Sequence, residues 1–112
     1  MSGDYESSTV VEPAVEQEVR TKRLPPYNVI LVNDEDHTFE YVIELLIKLF
    51  AHSLPRAKDL TWEVHSRGRA IAMTTHKERA ELKRDQVLAY GPDPRLARSK
   101  ASLRCYIEPA EG

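Results

Sequence analysis

The stretch Tyr27-Asn28-Val29-Ile30-Leu31-Val32-Asn33-Asp34-Glu35-Asp36-His37-Thr38-Phe39 changes character twice within thirteen residues. Tyr27 to Val32 is apolar and β-branched, as suits a strand buried on at least one face. Asn33-Asp34-Glu35-Asp36 stops it with a polar turn. Thr38 then offers the hydroxyl of a helix N-cap, and Phe39, Val42, Ile43, Leu46, Leu49 and Phe50 recur at helical spacing. Strand, acidic turn and amphipathic helix form the frame on which the rest is placed.

Toward the C-terminus, Ser53 caps a second helix with Pro55 in its first turn. Its apolar face is Ala57, Leu60 and Val64, with Thr61 and His65 on the same stripe, and Gly68 stands where a helix-ending glycine belongs. Arg69 to Thr74 alternates as a second strand. Lys77 to Tyr90 is rich in helix formers over a thinner stripe, Ala80, Val87 and Tyr90, until Gly91-Pro92-Asp93-Pro94 stops it. A basic loop (Arg95, Arg98, Lys100) leads to a last strand, Leu103 to Ile107. The order βααβαβ predicts an α+β fold, a compact sandwich with a three-stranded antiparallel sheet packed on three helices.

Toward the N-terminus, residues 1–24 hold five acids, three bases and no sustained apolar period. Such a segment buries too little to offset the entropy of ordering it, so a flexible N-terminal extension is predicted over 1–24 and a core domain over 25–112. From Tyr27 onward 13 acids meet 13 bases, so the tail carries the whole net charge of −2. That balance argues against a nucleic-acid partner. No apolar run approaches the ~20 residues of a membrane helix, and no secretory signal is visible. The one cysteine, Cys105, excludes an internal disulfide. A reduced, cytoplasmic setting is expected, with no metal or other cofactor.

Residues 33–44 hold five acids and no lysine or arginine. They read either as a solvated turn capping its own backbone or as a receptor for an ammonium or guanidinium group, to which Asn33 adds an amide oxygen. His65 reads either as a satisfied core histidine or as the polar tip at the mouth of a hydrophobic pocket. A hydrolase built on His65 and an acid lacks a nucleophile, because Cys105 lies within a strand pattern and Ser53 and Ser66 sit at helix ends. His37, His52, His65 and His76 show no metal-ligand spacing.

Tyr27 to Glu35, Phe39-Glu40-Tyr41-Val42, Glu63 to Ala70, Glu78 to Lys83 and Leu103 to Pro109 together resemble the ClpS family of protease adaptors, across about Pro26 to Pro109. The resemblance implies a small monomeric adaptor with no catalysis of its own. It would bind proteins whose first residue is Leu, Phe, Tyr or Trp and deliver them to the N-terminal domain of a Clp-type AAA+ unfoldase, ClpA- or ClpC-like. On the matching positions, Asn33, Asp34 and His65 would hold the free α-amino group. Glu35, His37, Thr38 and Phe39 would border the peptide backbone. Val42, Leu46, Thr61, Val64 and Leu103 would line the pocket for the first side chain, and Glu78 and Lys83 would contact the unfoldase. The N-terminal extension would engage the unfoldase during hand-off. The chain departs from the common pattern at His37-Thr38-Phe39, which replaces Thr-Pro-Met, at Asp36, where an aromatic is common, and at Thr61, which replaces a pocket methionine. Phe39 makes the rim stiffer and Thr61 the pocket roomier. The loop Gly91 to Ser102 departs as well, and its bases have no role in this reading. The alternative is a protein-interaction module sharing the fold of the ribosomal stalk protein's C-terminal domain, without N-degron binding.

Overall fold

The computed structural model describes residues 24–110. The extension expected over 1–24 therefore lies, Leu24 aside, outside the described residues. The elements are β1 (Tyr27–Val32), α1 (Phe39–Phe50), α2 (Leu54–Arg67), β2 (Arg69–Thr75), α3 (Lys77–Leu88) and β3 (Arg104–Pro109). The three strands form an antiparallel sheet in the order β2-β1-β3. This is the expected α+β sandwich, order included.

The central strand is the most apolar one because only β1 has neighbours on both edges. Val29 and Leu31 alternate onto the helical side and join the core with Tyr41, Leu45, Leu60 and Val64. Ile30 falls on the other face, in register with Ile71 and Tyr106. A bulge between Val29 and Ile30 shifts the pairing from Met73 to Ile71, leaving Ala72 as the extra residue.

The capping signals act as their residue types dictate. The Thr38 hydroxyl accepts the Tyr41 N–H at 3.2 Å, and the Ser53 hydroxyl accepts the Arg56 N–H at 3.3 Å. Gly68 ends α2 at φ 89°, in the left-handed region that glycine enters without steric cost. The Lys77-to-Tyr90 helix stops earlier than expected, at Leu88, and Tyr90 instead sets its ring edge against Tyr41 at 5.4 Å. The last strand begins at Arg104 rather than Leu103, which is buried in the core just ahead of it.

Lys83 was expected to be exposed for a partner. It is half-buried instead: its Nζ donates to the Leu49 carbonyl at 2.6 Å and lies 5.9 Å from the centre of the Phe50 ring. The last carbonyls of α1 have no helical partner, so a cation there satisfies one of them and meets the negative end of the helix dipole. Lys83→Met keeps the apolar stem and removes the charge and the donor. It is expected to lower the unfolding free energy by about 1–2 kcal/mol, read from urea denaturation.

Candidate functional site

Where β1 leaves the sheet, the Asn33 N–H donates to the Gly68 carbonyl at 2.9 Å. That bond ties the acidic turn to the end of α2, which carries His65. Arg104 of β3 adds a bond to the Asn33 carbonyl at 3.2 Å. Between the turn, the first turns of α1 and the last turns of α2 lies a cavity of about 390 Å³. Its walls are Asn33, Asp34, Glu35, His37, Thr38, Phe39, Val42, Thr61, Val64, His65 and Arg98.

The cavity thus gathers Asn33, Asp34 and His65, the four rim residues, and Val42, Thr61 and Val64. It does not include Leu46 or Leu103. Both belong to the core layer behind it: Leu46 is one helical turn deeper than Val42, and Leu103 packs where its N–H reaches the Tyr41 hydroxyl at 3.4 Å. The cavity wall therefore holds three of the five apolar-pocket residues that the resemblance implied, Val42, Thr61 and Val64. Thr61 sends its hydroxyl to the Ala57 carbonyl at 2.7 Å and so adds no unpaired polar group to the apolar wall. Glu78 is exposed on α3, away from the cavity.

The buried stripe of α2 ends at Val64; His65 is exposed, a further 100° around the helix. Its ring lies 5.1 Å from Phe39 and 5.6 Å from Trp62, and those two rings are 5.9 Å apart. Trp62 was absent from the residues singled out by sequence. The available signal was its spacing of three from His65, which puts the two on one helical face.

Asp34 is held from one side. Its carboxylate accepts the Asp36 N–H at 2.9 Å and faces His37 Nδ1 at 2.8 and 3.0 Å. His37 Nε2 lies 2.8 Å from the Ala101 carbonyl, and the imidazole side chain is only 4% exposed. Both ring partners are acceptors, so both contacts are hydrogen bonds only when both nitrogens carry protons. An ionised carboxylate has about four acceptor positions, so Asp34 keeps capacity for a cation in the cavity.

The loop between α3 and β3 fastens this corner. Asp93 is 1% exposed. Its Oδ2 accepts the Thr38 N–H and hydroxyl, each at 2.7 Å, and its Oδ1 accepts the Arg95 backbone N–H at 3.0 Å and guanidinium at 3.2 Å. Burial pushes the Asp93 carboxyl up, but the bonds from Thr38 and Arg95 outweigh it and hold it down at about 2. Arg95 also reaches Glu44 at 2.9 Å. Arg98 donates from Nε to the Glu35 carbonyl at 2.9 Å and lies 3.3 Å from Asp36. The Tyr41 hydroxyl donates to the Gly91 carbonyl at 2.6 Å. Two of the three bases left without a role by sequence, Arg95 and Arg98, therefore brace the acidic turn and α1.

The arrangement can hold a cation and an apolar group side by side. It offers no activated nucleophile. Burial pushes the Cys105 thiol up to about 12, with Arg84 opposing weakly, and Cys105 does not line this cavity. Among the described residues, no group of three or more His, Cys, Asp or Glu side chains is placed to hold a metal ion, and no helix is long and apolar enough to cross a membrane.

Residues 22–105 match the family model described as ATP-dependent Clp protease adaptor protein ClpS. The ATP-dependent Clp protease adapter protein ClpS of Thermosynechococcus vestitus is 39% identical over 82 residues, covering 72% of this chain and 87% of that protein. The protein of the same name from Vibrio atlanticus is 37% identical over 95 residues, covering 83% and 89%. Among solved structures, Agrobacterium tumefaciens ClpS2 bound to L-phenylalaninamide superposes with a TM-score of 0.66 at 24% identity, covering 77% of this chain and 98% of that one.

Proposed function

The chain belongs to the ClpS family of adaptors of the ATP-dependent Clp protease, and from that premise we propose that it binds the free N-terminus of proteins beginning with Leu, Phe, Tyr or Trp and passes them to a Clp-type AAA+ unfoldase. The observation that carries this reading is the convergence of Asn33, Asp34 and His65 on one cavity whose apolar wall is Val42, Thr61 and Val64. An α-amino group is largely protonated at neutral pH, with three N–H donors and a positive charge. A carboxylate, an amide oxygen and a neutral imidazole nitrogen accept such donors, and Asp34 balances the charge. The wall beside them takes the first side chain, whose full burial is worth about 1.5–3 kcal/mol. Binding and delivery require no bond to be made or broken, so the adaptor works without catalysis.

In this reading Glu78, exposed on α3, meets the N-terminal domain of a ClpA- or ClpC-like unfoldase, while the ammonium of Lys83 is already engaged within the fold. Residues 1–24 serve as the extension that reaches the unfoldase. The adaptor acts as a monomer in the cytoplasm.

Titrating fluorescent peptides that begin with Phe, Leu, Tyr or Trp, each beside its N-acetylated copy, tests the reading by anisotropy. Acetylation removes the charge and leaves acceptors that the bound peptide covers without their donors. It should weaken binding about ten- to a hundredfold. Equal affinity for free and acetylated copies overturns the reading and favours a stalk-like module indifferent to the terminus.

A further inference from the structure

Trp62 is the one tryptophan of the chain and is 60% exposed on α2. An indole left in water beside a binding cavity is apolar surface awaiting cover. It is not a loose side chain: its ring touches Phe39, itself 42% exposed, and His65, and those two touch each other. Rings that already hold one another lose little rotamer freedom when a ligand packs on them. Phe39 and His65 line the cavity, and Trp62 stands just outside it.

We propose that Trp62 and Phe39 form a second subsite, which takes an apolar side chain from the residue that follows the N-terminal one. This rests on the amine being held at Asn33, Asp34 and His65. A peptide anchored there has its second Cα only about 3.8 Å from its first. Its second residue therefore crosses the rim within reach of a ring centred 5.6 Å from that of His65. At the acidic turn the rim's polar groups already pair with one another, with Arg98 donating to the Glu35 carbonyl and lying 3.3 Å from Asp36. The aromatic side is the one with surface left to cover.

Calorimetric titration with two peptides that differ only in Leu or Gly after an initial Phe separates the possibilities. The wild-type protein should bind the Phe-Leu peptide about five- to tenfold more tightly than the Phe-Gly peptide. Trp62→Ala and Trp62→Gln should bring the two within about twofold by weakening the Phe-Leu complex alone, and the retained Phe-Gly affinity certifies the fold of each variant. With peptides free of tryptophan, the emission of wild-type Trp62 should shift to shorter wavelength on binding Phe-Leu. Equal affinities for the two peptides in the wild type, or equal weakening of both by Trp62→Ala, overturn the second subsite while amine-dependent binding of Phe-Gly leaves the parent reading standing. Absence of amine-dependent binding by either peptide overturns both.

Discussion

Asp34→Ala is expected to weaken binding of a free N-terminus about a hundredfold, the largest effect of any single change in the cavity. Asp34 faces both the cavity and the buried imidazole of His37. Removing the carboxylate leaves the bound ammonium without its counter-charge and His37 Nδ1 without an acceptor. The second loss costs stability as well as affinity, so alanine alone confounds the two. Asp34→Asn keeps one oxygen for His37 and for the Asp36 N–H, removes the charge and exchanges the second oxygen for an NH2 group. It is expected to unfold at nearly the wild-type urea concentration and still to bind about tenfold more weakly. Anisotropy with a Phe-initiated peptide reads affinity, and urea denaturation reads the fold. An asparagine variant of wild-type affinity would show that Asp34 holds the corner together and does not receive the amine.

The parts of the fold that were legible in sequence are those governed by neighbours along the chain. The run Tyr27 to Val32 is apolar and β-branched enough to mark a strand buried on at least one face; its central place appears only in its pairing with both β2 and β3. Thr38, Ser53 and Gly68 act within a turn of their own helices, so their residue types sufficed. The site was legible only in part. Asn33 and His65 lie far apart in sequence, and what joins them, the Asn33 N–H to the Gly68 carbonyl, is a backbone bond with no side-chain signature; the motif resemblance supplied that pairing. Leu46 and Leu103 came to the pocket through the same resemblance; here both belong to the core layer behind the cavity wall, a distinction of depth that residue type does not carry. Lys83 could have been read better. It is three residues after Ala80 and four before Val87, so the same 3.6-residue period that marked the stripe placed its stem on the inner side.

Asp93 shows the opposite limit: between two prolines it reads as helix-stopping punctuation, yet it is the charge on which the N-terminus of α1 depends. It reaches Thr38 across 55 residues of sequence, and no period encodes that. Asp93→Ala is expected to lower the unfolding free energy by about 3–5 kcal/mol, because it strands the Thr38 N–H and hydroxyl and removes the Arg95 partner in a buried corner. Asp93→Asn should cost less, about 2 kcal/mol, since the amide keeps one acceptor oxygen. The charge also sets an acid dependence. Asp93 in the folded protein titrates at about 2, below its ordinary 3.8, so protonation is harder in the native state than in the unfolded chain. The stabilisation is present in full above the unfolded value and is lost as pH falls from about 4 toward 2, by about 2 kcal/mol. Urea denaturation at pH 7 and at steps down to pH 2.5 measures both quantities. The asparagine variant should begin from a lower plateau and lose less stability across that acid range. If instead it keeps the wild-type acid limb unchanged, the proton that destabilises the fold is taken up elsewhere, and the role given to the Asp93 charge is wrong. If Asp93 does brace the turn, both variants should also bind a Phe-initiated peptide more weakly at pH 7, although neither substitution touches the amine, because Thr38 anchors the segment that carries Asp34.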